Sequence, residues 1–163
     1  MKSTIEENKE VNTKKLDEKY WKNALTFEEY LNVAEERFQN NPDKNDEKQD
    51  YYELGLLRMN RTLKTFKVDP EKIEEVKNKN FNGKVLIISE PWCGDASATV
   101  PAVSKFFEAA GNEVKVFLRD SDTSLIDQYL TNGAQSIPMI LLLNEDYSVE
   151  NVWGPRPKYG TEL

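Results

Sequence analysis

The residue whose type and setting point to covalent chemistry is Cys93, the single cysteine, set in Pro91-Trp92-Cys93-Gly94-Asp95-Ala96. A thiolate is a strong nucleophile and a thiol is not, so the surroundings decide what Cys93 can do. A lone cysteine also has a plain alternative role as a small buried hydrophobe. The flanking residues favour chemistry. Before the cysteine, Val85 to Ile88 form a short run of bulky apolar residues, the pattern of a fully buried strand. After it, from Ala96 onward, Val100, Val103, Phe106 and Phe107 recur at helical spacing. Pro91 and Gly94 mark a tight turn between the two, which puts Cys93 at the surface and at the mouth of a helix. Free N–H groups and the helix dipole favour a negative charge there. Asp95 opposes it by like-charge repulsion, and the loop itself holds no Lys or Arg. Asp95 reads first as a residue suited to an opening helical turn, and Trp92 as a flat contact surface.

Composition removes other chemistries. Histidine is absent, which excludes Ser-His-Asp and Cys-His catalysis and histidine-based zinc sites, so no metal is expected. The 22 basic and 29 acidic residues leave a net charge of -7, unsuited to binding nucleic acid or an anionic membrane. No apolar run approaches the roughly 20 residues that cross a bilayer, and the N-terminus lacks the apolar stretch of a signal peptide. One cysteine cannot form an internal disulfide, which fits a reducing cytoplasm.

The remaining elements must hold that loop in place. Residues 1–15 are mostly Lys, Glu, Asn and Thr and are expected to be a solvated lead-in. Residues 16–80 read as helices. Thr26-Phe27-Glu28-Glu29 has the form of a capping box, and Phe27, Tyr30, Leu31, Ala34 and Phe38 make an apolar stripe over 27–39. Tyr52, Leu56, Met59, Leu63 and Phe66 predict a second helix of about 20 residues, and Asp69-Pro70 opens a short third. Residues 81–163 form the α/β part. In it, the strand before Cys93 and its helix lead to a second strand over Glu113 to Arg119. A short helix over Ser124 to Thr131 and a hairpin of Met139 to Leu143 with Tyr147 to Trp153 follow. This order implies two parallel strands and an antiparallel pair in one sheet.

These residues carry a resemblance. Trp92-Cys93-Gly94-Asp95-Ala96 resembles the Trp-Cys-Gly-x-Cys loop of the thioredoxin superfamily, with alanine in the place of the second cysteine. Pro101 matches the proline inside that family's active-site helix, Ile137-Pro138 matches its cis-proline, and Gly154 the glycine after its last strand. The Trp-Cys-Gly-Asp form, together with Trp153-Gly154-Pro155-Arg156-Pro157, is similar to a bacterial group with a helical N-terminal extension. The resemblance implies a thioredoxin-like α/β fold: a central mixed sheet of about four strands, flanked by helices. It also implies a site in which Cys93 is the nucleophile and Trp92, Gly94, Asp95, Ile137 and Pro138 contact substrate. The family's closing helix has no counterpart after Pro157, so the N-terminal helices must cover that sheet face unless the chain has been cut short.

Ala96 cannot resolve a mixed disulfide, and the family's buried acid and neighbouring lysine, counted along the chain, fall on Ile87 and Val116. Dithiol turnover is therefore not expected. Two roles remain. One is monothiol oxidoreduction of a protein or low-molecular-weight disulfide, with glutathione or another small thiol as external reductant and no resident cofactor. The other is a non-catalytic module that binds peptides or proteins in the thioredoxin groove.

Overall fold

The structure, a computed structural model, describes residues 14–41 and 47–154, apart from the side chains of residues 47, 48 and 95. Its elements in chain order are α1 (Glu18–Lys22), β1 (Leu25–Thr26), α2 (Phe27–Asn40), α3 (Glu47–Thr65), α4 (Pro70–Asn78), β2 (Lys84–Ser89), α5 (Gly94–Ala109), β3 (Glu113–Leu118), β4 (Met139–Leu143) and β5 (Val149–Trp153).

β2 is the centre. Val85 to Ile88 are each fully buried, which contributes roughly 1.5–3 kcal/mol for a side chain of that size. A strand buried on both faces also needs a partner on each edge. β3 runs parallel to it with Ile87 opposite Val116, and β4 runs antiparallel with Ile87 opposite Ile140. β5 extends the sheet antiparallel to β4, and β1 closes the other edge antiparallel to β3. The order is β1-β3-β2-β4-β5. The sheet thus has five strands where about four are expected, the extra one coming from a region that reads as helical.

Alternation along the strands divides the core in two. On one face Leu86, Ile88 and Leu141 pack with Tyr20 and Trp21 of α1 and with Leu125 and Ile126 of the segment after β3. On the other, Val85, Ile87 and Val116 pack with Val100 and Phe107 of α5, Tyr30 of α2 and Met59 of α3. The helices of residues 16–80 therefore lie on both sides of the sheet. Trp153, at the end of β5, remains 46% exposed.

Local chemistry fixes where the helices start. The Thr26 hydroxyl accepts from the Glu29 N–H at 3.1 Å, and the Glu29 carboxylate accepts from the Thr26 N–H at 2.8 Å. These bonds hold the Glu29 carboxyl below its ordinary pKa. Asp69 caps α4 by accepting from the Glu71 N–H, with Pro70 at the first helical position.

The expected helix over Ser124 to Thr131 is only a single tight turn, Ile126–Gln128. Asp122 captures the Ser124 N–H and hydroxyl, and Asn132 and Gly133 both take positive φ, so the chain turns back before a second helical turn can form. Of the expected lead-in, residues 1–13 lie outside the described part. Leu16 donates to the Tyr147 carbonyl, and the Lys14 carbonyl accepts from Val149, so residues 14–16 run along the start of β5. The Pro155-Arg156-Pro157 run also lies outside the described residues.

Candidate functional site

Cys93 is the N-cap of α5, with φ -76° and ψ 121° and no side-chain capping bond. The turn holds its backbone at both ends. Its N–H donates to the Glu90 carbonyl at 3.1 Å, and its carbonyl accepts from the Ser97 N–H at 3.2 Å. The side chain is partly exposed and touches both halves of the core. Its Sγ donates to the Ile137 carbonyl at 3.6 Å, and the Ile137–Pro138 peptide bond is cis. Ile137 and Pro138 are buried, and Gly94 is exposed. The side chain of Asp95 lies outside the described part. Thus Trp92, Cys93, Gly94, Ile137 and Pro138 form one constellation where β2 and β4 meet the start of α5.

Gly154 closes this end of the sheet. At φ 139° a side chain there would be strained, and a Cβ would run into the Pro138 carbonyl and Met139. Ala96, Ile87 and Val116, the positions on which the resemblance places a second cysteine, an acid and a lysine, are apolar here and at most 1% exposed. Among the described residues no group of three or more Cys, Asp or Glu could hold a metal ion.

Several residues of the site are not apparent in the sequence. The buried acid beside the loop is Glu90, not a residue at position 87. It is 1% exposed, accepting from Arg37 Nη1 at 2.7 Å through one oxygen and from the Asp120 N–H at 3.0 Å through the other. Burial works against the Arg37 charge, but the Glu90 bond and charge outweigh it and hold the guanidinium above its ordinary pKa. Next to it the Tyr30 hydroxyl pairs with Ser89 at 3.0 Å. Burial pushes the Tyr30 phenol up despite that hydrogen bond, and the charges of Glu90 and Cys93 add to the effect. Arg119, just after β3, lies over the Trp92 ring at 5.1 Å and pairs with Asp120. From α3, Arg58 Nη1 lies 3.5 Å from where a Cβ on Gly94 would stand. A signal for Arg37 exists in the sequence: it continues the Tyr30–Ala34 stripe of α2 at helical spacing.

Residues 41–163 match the family model described as thioredoxin. The chain belongs to the thioredoxin family. The match takes in α3, α4, α5 and strands β2 to β5, and leaves α1, β1 and α2 outside it. Solved structures share the thioredoxin-like fold. A crystal structure of an HIV epitope scaffold superposes with a TM-score of 0.66 at 14% identity, covering 89% of this chain and 80% of the other. A protein of unknown function from Pseudomonas aeruginosa gives 0.62 at 14% identity, covering 86% and 77%. No curated protein matches the sequence. In this thioredoxin-family chain no helix of the described residues is long and apolar enough to cross a membrane.

Proposed function

We propose that this thioredoxin-family chain is a monothiol thiol–disulfide oxidoreductase of the reducing cytoplasm, related to the bacterial group with a Trp-Cys-Gly-Asp loop and a helical N-terminal extension. The observation that carries the reading is the placement of its only sulfur. Cys93 caps α5 at a partly exposed position, 3.6 Å from the Ile137 carbonyl, with closed apolar packing at Ala96. The Cys93 thiolate attacks one sulfur of a protein or small-molecule disulfide, forming the mixed disulfide and releasing the other half as a thiolate. An external thiolate of the glutathione class then attacks the substrate sulfur of that mixed disulfide. Cys93 leaves as thiolate and the substrate departs joined to the external thiol. A second external thiolate attacks the external thiol's sulfur, releasing the substrate thiolate and the external disulfide, so two external thiols supply the two electrons. The α5 N-terminus favours the thiolate at both stages. Trp92, Gly94 and Asp95 form one wall for the substrate, and Ile137 and Pro138 the other.

Intact mass after incubation with glutathione disulfide tests the reading. One glutathione adduct on the wild type, none on Cys93→Ser and complete release by excess thiol are expected. A wild type that stays unmodified while folded overturns it.

The second reading is a non-catalytic peptide-binding module. It draws on the buried Ala96, Ile87 and Val116, which leave the site nothing of its own with which to resolve an adduct. A protein that forms the adduct but never exchanges it for a second thiol would support this reading.

A further inference from the structure

The outward face of α3 carries Tyr51, Leu54, Arg58 and Arg61, which at 3.6 residues per turn fall within an arc of about 80°. Tyr51 is 52% exposed and Leu54 is 42% exposed. Both guanidinium groups are exposed and have no ion-pair or hydrogen-bond partner among the described residues. In a chain with 29 acidic side chains and a net charge of -7, two unpaired neighbouring arginines make a local cationic patch against the overall field. By helical spacing Glu47 and Asp50 fall on the same side of α3 as the stripe but toward its N-terminal end, more than about 10 Å along the axis from Arg58, and Glu53 lies outside the arc.

This stripe borders the site. Gly55, the residue after Leu54, sits so close to the loop that a Cβ would come 2.9 Å from the Pro91 carbonyl, and Arg58 Nη1 lies 3.5 Å from where a Cβ on Gly94 would stand. On the loop's other flank Arg119 already shares its charge with Asp120. Arg58 is thus the described cation left to meet an incoming carboxylate. From Arg58 back to Tyr51 the stripe extends about 10 Å along the helix axis. A stripe of that length is more than a compact thiol adduct at Cys93 can cover, whereas a polypeptide can lie along all of it.

Resting on the monothiol reading of Cys93, we propose that the outer face of α3 is a second contact surface for a polypeptide substrate. That polypeptide carries a carboxylate and apolar residues close to the cysteine that Cys93 attacks. Arg58 and Arg61 take the carboxylate, and Tyr51 and Leu54 take the apolar residues. The covalent step is the exchange described above.

The test uses the full chain and three thiopyridyl disulfides: a peptide whose cysteine is flanked by Leu and Asp, the same peptide with Ser and Lys at those positions, and a small uncharged thiopyridyl disulfide. Release of pyridine-2-thione gives the rate of attack by Cys93. The Leu/Asp peptide is expected to react about tenfold faster than its Ser/Lys counterpart. Arg61→Glu and Leu54→Asp should each remove much of that preference while leaving the small probe's rate unchanged, which shows that fold and thiol are intact. Equal rates for the two peptides, or a preference that survives both substitutions, would overturn the proposal while a reactive small probe keeps the monothiol reading. A thiol inert to the small probe would overturn both.

Discussion

Glu90 is a carboxylate out of water, three residues before the nucleophile, and each of its oxygens has its own donor. Its backbone carbonyl also holds the Cys93 N–H, so the pairing of Glu90 with Arg37 ties α2 to the turn that presents the sulfur. Removing one partner of a buried pair strands the other charge, which costs about 3–5 kcal/mol when both are inaccessible. Arg37 is 35% exposed, so water recovers part of that loss and Arg37→Ala should cost about 2–3 kcal/mol, read as a lower urea midpoint. The double variant Arg37→Met/Glu90→Gln should recover most of the stability, because neither partner is then left charged. If Arg37→Ala matches the wild type, the pair is not what holds the turn. Cys93 is legible in the sequence because strand, turn and helix signals converge on it. Glu90 is not, because it looks like one more polar residue at a strand end, and only packing reveals that Arg37 and the Asp120 amide meet it there.

At the scale of elements, α3 approaches the Cys93 loop because Gly55 has no side chain. Alanine at 55 would gain about 1 kcal/mol of intrinsic helix propensity. Its Cβ, however, would stand 2.9 Å from the Pro91 carbonyl, a backbone atom that cannot rotate aside. Gly55→Ala should therefore lower the unfolding midpoint despite the better helix former, and should raise the rate of Cys93 alkylation as α3 and the loop separate. An unchanged alkylation rate together with higher stability would show that the contact is slack. The long helices were readable because their stripes run through several turns. β1 was not, since Leu25–Thr26 is only two residues and is a strand only because β3 pairs with it. The helix expected over Ser124 to Thr131 shows the reverse failure. Leu125, Ile126 and Tyr129 have helical spacing and are buried, yet the Asp122 side chain and the positive φ of Asn132 and Gly133 decide the backbone.

For the whole molecule, the question is whether residues 41–163, the span that matches the thioredoxin family, can stand without what precedes them. Leu16, Tyr20 and Trp21 fill one face of the sheet, and Tyr30 and Ala34 fill the other. All five are at most 5% exposed. Losing the four larger side chains removes roughly 6–12 kcal/mol of burial, about the entire stability of an ordinary domain. It also takes away Arg37 and strands Glu90 beside the nucleophile. A fragment starting at residue 41 should therefore bind a hydrophobic dye and lose the cooperative thermal transition of the full chain. Its Cys93 should be alkylated at the rate of a free peptide thiol. Supplying residues 14–40 as a separate peptide should restore part of the transition, because the interface it would rebuild is apolar on both sides of the sheet. A fragment that melts cooperatively at the full chain's temperature would mean that these N-terminal residues are an appendage, and that the Glu90–Arg37 pair contributes nothing to the site.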